Sequence, residues 1–274
     1  MRLVGPEPPF VNVGSVLTHR QRRCLVILPT FNERANLAGV VAGIRGAGHD
    51  ALVVDDNSPD GTGAIADLLA EADPGVHVIH RPAKLGLGSA CVAGFGFGLR
   101  GGYQFLVLMD ADGSHNVAHL DSIIEASERT GGLSIGSRYV PGGATTGWSL
   151  PRRVLSRTAN AYCQSLLSVG VHDCTSGYRC FPRALLERLD VAATLSDGYA
   201  FEIEMVYRCR LLGSPVVEVP IRFHNRYAGK SKVSRSEITR ALIMVPRLRL
   251  RNPALSRRPD GTPTLVDDAK LSSD

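Results

Sequence analysis

Asp110 and Asp112 stand two residues apart, directly after the apolar run Phe105–Met109, within Met109-Asp110-Ala111-Asp112-Gly113-Ser114-His115. Two carboxylates at this spacing, at the carboxyl end of an expected strand, make a compact oxygen site. Hard cations such as Mg²⁺ or Mn²⁺ prefer carboxylate and phosphate oxygens, so the pair suits a cation bridged to a diphosphate. In isolation the same pair also fits a solvated acidic turn, and the decision rests on other segments. In Leu28-Pro29-Thr30-Phe31-Asn32-Glu33, Pro29 stiffens the exit of a strand, Phe31 offers a ring face and Glu33 can accept hydrogen bonds from a base or ribose. Val53–Thr62 carries Asp55 and Asp56 into a tight turn; one suits a nucleobase or ribose edge, the other a turn or helix-cap role. Arg81–Ser89, with Lys84, Gly86 and Gly88, is a basic glycine-rich loop opening a helix, and it lacks the Gly-Lys-Ser/Thr order of a P-loop.

A second group of residues is cationic. Arg138 follows an apolar run, and Arg152 and Ser156 are spaced i, i+4 on an expected helix and so share one face. Arg226 and Lys232 lie in a glycine-containing loop that can close over phosphates. A phosphate monoester with a second pKa near ~6 is already an anionic nucleophile at neutral pH. Transfer to such an acceptor needs oriented cations and no general base. Arg153 and Arg157 read as solvated helix charges. Glu202 and Glu204, i, i+2 on a helix, point apart and fail as an acid–base dyad; one of them is free to reach an arginine or a substrate hydroxyl. Tyr178 and Tyr199 read as packing residues.

The elements that must position these groups are short β-rich runs alternating with longer helical patterns, an arrangement that predicts a mostly parallel α/β sheet flanked by helices. Strands are expected at Cys24–Leu28, Ala51–Val54, Val76–Ile79, Phe105–Met109, Leu133–Ile135 and Val216–Val219. Helices are expected near 33–47, 62–72, 88–100, 117–130, 152–169, 199–212 and 234–250. Ligands of open α/β sheets bind beyond the carboxyl ends of the strands, which is where the motifs fall.

The 274 residues carry a net charge of +5, unevenly spread: residues 222–258 hold eleven Lys/Arg against one acid, Glu237. That stretch points to an anionic partner such as a nucleotide, a lipid phosphate or a membrane surface. Without aromatic interleaving or a reader motif, nucleic acid is not expected. No apolar run reaches the ~18–20 residues that span a bilayer. The basic, apolar segment 236–251 is expected to lie on a membrane surface or to pack on the sheet, with Pro246 kinking or ending its helix. The six cysteines are scattered, and with no secretory signal evident they read as free thiols in the cytoplasm. Residues 1–22 and 252–274 read as flexible ends.

Seven blocks together resemble family 2 glycosyltransferases of the GT-A type, and more narrowly the dolichol- or polyprenol-phosphate mannose synthase group. They are Leu28–Arg34, Val54–Thr62, Arg81–Gly88, Met109–His115, Gly136–Gly143, Thr175–Arg179 and Arg226–Lys232, in the family's order. The resemblance implies a GT-A catalytic domain over 23–235 and inverting transfer of mannose from GDP-mannose to a polyprenyl monophosphate; UDP-glucose or a soluble acceptor stand as alternatives. It implies that Pro29, Phe31, Glu33 and Asp56 hold the nucleoside, with Asp55, Lys84 and Ala111 at the same donor site. Asp110 and Asp112 bind Mg²⁺ or Mn²⁺ and the diphosphate. Arg138, Arg152 and Ser156 grip the acceptor phosphate, and Arg226 and Lys232 the donor diphosphate. Ser114 stands where the family often has Gln, a hydroxyl in place of an amide as third metal ligand, and Asn116 replaces a common Pro after His115, which reads as structural. The implied setting is peripheral, at the inner face of the cytoplasmic membrane, with contact made directly or through a membrane-anchoring partner protein.

Overall fold

The computed structural model describes residues 23–194, 196, 198–225 and 235–251. In chain order the elements are β1 (Cys24–Thr30), α1 (Leu37–Gly46), β2 (Asp50–Asp55), α2 (Thr62–Ala72), β3 (Val76–His80), α3 (Leu87–Arg100) and β4 (Phe105–Leu108). They continue with α4 (Leu120–Thr130), β5 (Leu133–Ser137), β6 (Ala144–Thr145), α5 (Leu150–Leu167), β7 (Arg179–Pro182) and α6 (Arg183–Arg188). The last are α7 (Tyr199–Leu211), β8 (Val216–Pro220), β9 (Arg222–Phe223) and α8 (Arg235–Arg251). A short 3₁₀ turn at Val117–His119 leads into α4, with the Ala118 amide donating to the Asn116 side chain.

Seven strands form one sheet in the order β3-β2-β1-β4-β7-β5-β8, and β6 and β9 form a separate two-stranded ladder. Every pairing in the large sheet is parallel except those of β7. Alternation along β1 builds two cores. Leu25 and Ile27 join Leu52, Val54, Leu106 and Leu108 under α3, α5 and α7. Cys24, Val26 and Leu28 join Val53 and Val107 under α1 and α4. Central strands buried on both faces read as continuous apolar runs, as these do.

Besides the short elements β6, β9 and α6, which were not expected, two differences from the sequence expectation bear on the site and its surroundings. The Arg-Cys-Phe-Pro run of β7 is only four residues long, too short to show a period, yet it fills the slot between β4 and β5. The helix expected to kink or end at Pro246 continues through it to Arg251. Val245 and Leu248 are buried against the core while Leu242, Ile243 and Leu250 are exposed, so this helix both packs on its neighbours and shows an apolar outer side. All six cysteines are buried and free.

Candidate functional site

The carboxyl ends of β1, β2, β4 and β5 all reach one edge of the sheet. Because β7 is antiparallel, the segment that precedes it, 173–178, arrives at that same edge. This brings together residues from five separate stretches of sequence.

At the β1–β2 end, Asp55 and Asp56 divide their roles. Asp55 organises a turn: it accepts from Ser58 Oγ at 2.5 Å and Ser58 N at 3.1 Å, beside Thr30 Oγ1 at 3.4 Å. Asp56 faces the glycine-rich loop. Its Oδ2 accepts from the main-chain N–H groups of Leu85 (3.1 Å) and Gly86 (3.2 Å), and its Oδ1 lies 2.8 Å from Arg81 Nη1. Burial raises the Asp56 pKa, with Arg81 and the two amides opposing the rise. Gly86 adopts φ +101°, open to glycine and strained for other residues, and α3 starts there. Pro29 lies within β1, half-buried. Glu33 is buried at the mouth of α1, with Asn36 Nδ2 donating to its Oε2 at 2.9 Å. Lys84 Nζ lies 4.3 Å over the Phe31 ring, so these two expected donor-site residues meet across the gap between β1 and the glycine-rich loop.

After β4, Asp110 has a side chain 43% exposed, whereas Asp112 is buried and accepts from Ser114 N at 2.9 Å. Ala111 is buried in the apolar cluster. His115 is buried, stacked on Tyr178 at 4.9 Å and edge-on to Phe223 at 5.2 Å. Burial lowers its pKa, and its Nδ1 accepts from Asp110 N at 3.1 Å, which puts the proton on Nε2, 4.0 Å from Asp110 Oδ2. His115 thus works as a brace beside Asp110, in line with its structural reading. Gly177 closes the other side: a Cβ there would come within 3.3 Å of Asp110 Oδ1. Among the described residues no group of three His, Cys, Asp or Glu side chains could hold a metal ion. The oxygen set still fits a hard cation shared with a diphosphate. Ser114 Oγ is fully buried without a hydrogen-bond partner among the described residues, on the residue whose main-chain N–H donates to Asp112.

After β5, Arg138 is bound by a residue that sequence reasoning missed. Arg138 Nε donates to Asp173 Oδ2 at 2.7 Å, Nη2 to Oδ1 at 2.6 Å, and its main-chain N to Oδ2 at 2.9 Å; Nη2 also donates to Thr175 Oγ1 at 2.8 Å. Burial pushes the Asp173 carboxyl up, but the Arg138 charge and donors outweigh it and hold the pKa below the usual range. The Arg138 guanidinium lies 5.3–5.5 Å from the ring centroids of Trp148, Phe223 and Tyr139, and the Arg152 guanidinium lies 4.1 Å over the same Trp148 ring. The indole Nε1 of Trp148 is buried with no acceptor among the described residues. Arg152 donates to Asn225 at 3.1 Å, and Tyr139 Oη and Ser156 Oγ are 2.6 Å apart. Arg138, Tyr139, Gly143, Ala144, Thr145, Arg153 and Arg157 line a cavity of about 210 Å³, so the two arginines expected as plain surface charges face a common space with Arg138.

Behind this edge, Arg179 is fully buried. It donates to the carbonyls of Ser176, Cys174 and Glu202 and pairs with Glu202 Oε2 at 2.8 Å. Burial lifts the Glu202 carboxyl to about 7 against that ion pair. Glu204 faces Arg208 at 3.9 Å, so the two glutamates point apart, as their spacing requires, and each meets a different arginine. Tyr178 is a packing residue, fully buried. Arg226 and Lys232 lie outside the described residues, as does the Tyr199 side chain. Of the missed residues Asp173, Trp148 and Tyr139, two carried a usable signal: Tyr139 lies within the Gly136–Gly143 block, and Asp173 stands two positions before the Thr175–Arg179 block.

Comparison with known proteins adds findings of three kinds: a family match, two relatives in sequence and two in fold. The model of the family described as "Glycosyl transferase family 2" matches residues 25–190. The chain is 52% identical over 227 residues to a polyprenol monophosphomannose synthase of Mycolicibacterium smegmatis, covering 82% of this chain and 86% of that protein. It is 45% identical over 227 residues to an undecaprenyl-phosphate mannosyltransferase of Micrococcus luteus, covering 82% and 93%. In fold it is similar to a mannosyltransferase of Pyrobaculum calidifontis solved with GDP-Man and Mn²⁺, at TM-score 0.55 and 17% identity over 89% of this chain and 68% of that one. It is also similar to a Mycobacterium tuberculosis glucosyl-3-phosphoglycerate synthase solved with Mn²⁺, UDP and glucosyl-3-phosphoglycerate, at TM-score 0.60 and 19% identity over 90% and 86%.

Proposed function

The chain belongs to glycosyl transferase family 2, and from that premise we propose that it transfers mannose from GDP-mannose to a polyprenyl monophosphate, with inversion and with a divalent cation. The observation that carries this reading is the cavity wall after β5, which holds three arginines and no carboxylate. Such a wall suits an acceptor that arrives as an anion and needs orientation only. The nearest acid, Asp173, has both oxygens engaged by Arg138 and a lowered pKa, which makes it a poor proton acceptor.

In this reading Pro29, Phe31, Glu33, Asp55 and Asp56 shape the nucleoside end, and Lys84 and the Ala111 main chain border the donor phosphates. Asp110, Asp112 and the Ser114 hydroxyl hold Mg²⁺ or Mn²⁺, which supplies charge to the leaving diphosphate when bound. Arg138, Arg152 and Ser156 orient the acceptor phosphate, and Arg226 and Lys232 receive the donor diphosphate. A phosphate oxygen attacks the anomeric carbon, the bond from that carbon to the diphosphate oxygen breaks, and the nucleoside diphosphate leaves with the electron pair. The enzyme works peripherally at the inner face of the cytoplasmic membrane, where its acceptor resides.

The test compares a polyprenyl phosphate with the matching unphosphorylated polyprenol. Mannose enters the phosphate and not the alcohol. Turnover holds at neutral pH and falls as the acceptor takes up its second proton below about pH 6. Equal transfer to the alcohol overturns the reading.

A further inference from the structure

Tyr139 follows Arg138 directly, and the two residues tie the end of β5 to two other parts of the chain. Arg138 is held by Asp173 on the segment before β7, and Tyr139 reaches α5, where its Oη donates to Ser156 Oγ at 2.6 Å. The phenol ring also lies 5.5 Å from the Arg138 guanidinium and 5.8 Å from that of Arg157, and it lines the cavity with both. Ser156 behaves unlike other helix hydroxyls. Thr130 donates to Ala126 O and Ser165 to Tyr162 O, each at 2.9 Å, so their protons are committed to their own helices. Ser156 makes no such bond among the described residues and accepts from Tyr139 instead. A serine hydroxyl has one proton and two lone pairs. With Tyr139 on a lone pair, the proton of Ser156 is left to donate. The cavity that Tyr139 lines offers it three arginines and no carboxylate, so the acceptor it suits is an anion that enters from outside.

We propose that Tyr139 is a positioning residue for the acceptor: its hydroxyl turns the Ser156 proton toward the acceptor phosphate, and its ring seats Arg138 and Arg157 beside the same anion. The proposal rests on the reading of Arg138, Arg152 and Ser156 as the acceptor-phosphate grip and adds the residue that sets the geometry of that grip. A hydroxyl free to turn toward water or a helix carbonyl gives up part of its bond to an anion in orientation. One fixed by a phenol is aimed before the ligand arrives. The ring acts electrostatically. Two guanidiniums beside one cavity repel each other, and an aromatic ring whose negative face attracts both eases their close approach before the anion enters. Tyr139 touches no reacting atom in this role, so its contribution falls on acceptor affinity.

The test is calorimetric titration of the full chain with farnesyl phosphate, with farnesol and GDP-mannose as controls, in the wild type, Tyr139→Phe, Ser156→Ala and the double variant. Tyr139→Phe keeps the ring and loses only the hydroxyl, and it weakens farnesyl phosphate binding about five- to tenfold. Ser156→Ala weakens binding at least as much. The double variant binds no more weakly than Ser156→Ala alone, because the phenol hydroxyl acts through the serine. Tyr139→Leu, which removes the ring as well, weakens binding a further few-fold. The variants keep the wild-type affinity for GDP-mannose, and Tyr139→Phe keeps the wild-type thermal melt. A packing role alone costs the same factor with or without the Ser156 hydroxyl, so additive losses overturn the proposal. So do a Tyr139→Phe variant that binds farnesyl phosphate like the wild type and wild-type protein that shows no preference for farnesyl phosphate over farnesol. Coupled binding without sugar transfer to any phosphate leaves this proposal standing and removes the functional reading. Mannose transfer without the coupling does the reverse, so the two fail separately.

Discussion

Arg138 and Asp173 are 35 positions apart and meet through three donors at 2.6–2.9 Å, with Asp173 fully buried and Arg138 buried except where it lines the cavity. A buried pair of this kind holds its arginine in one orientation, and removing one partner leaves an unpaired charge. Asp173→Asn is expected to lower stability by about 3–5 kcal/mol. Its pH signature follows from the lowered carboxyl pKa. The stabilisation is fully present above the ordinary carboxylate value of about 3.9 and is lost as pH falls through the folded-state value. Chemical denaturation from neutral pH into this acid range checks both points: wild type loses stability on acidification, and the variant starts lower with a flatter acid limb. An unchanged midpoint at neutral pH would show that Asp173 does not hold Arg138. Legibility at this scale divides along the same line. Asp110, Asp112, Asp56 and Arg138 were visible because type and spacing sit in one short stretch beside an apolar run. Asp173, Trp148 and Tyr139 act through convergence in space; lying in or beside a motif marks Tyr139 and Asp173 as neighbours of the site without naming their partners.

The parallel strands and the helices between them were readable from apolar runs of four to seven residues and their 3.6-residue counterparts. The β7 strand escaped because four residues carry no periodicity. Its orientation also matters most to the site, since an antiparallel strand alone delivers 173–178 to the edge where β4 and β5 end. The seat of α3 depends on a feature that composition hints at without locating. A Cβ at Gly94 would stand 2.4 Å from Cγ2 of Ile27, a stiff β-branched side chain with no exposure. Gly94→Ala gains helix propensity and loses more to overpacking. A net destabilisation of about 1–2 kcal/mol is expected in urea denaturation. A stabilised variant would mean that α3 can lift off β1 at no cost. The C-terminal segment shows the opposite lesson: its basic, apolar composition allowed either a packed or a lipid-facing helix, and α8 has one side of each kind.

Across the whole molecule, the acidic and basic groups are sorted by position on one sheet edge. Carboxylates follow β2 and β4, arginines follow β5 and line α5, and the glycine-rich loop between β3 and α3 is tied to Asp56. That sorting supports a donor diphosphate held on one side and an anionic acceptor brought in on the other. The decisive measurement is sugar transfer by the purified chain with Mn²⁺ or Mg²⁺ and a polyprenyl phosphate in detergent, radiolabelled GDP-mannose and UDP-glucose being run in parallel. Counts in the organic phase from GDP-mannose alone are the expected result, reduced about 10²–10³-fold in Asp112→Ala. Counts from UDP-glucose alone, or undiminished transfer by Asp112→Ala, would contradict it.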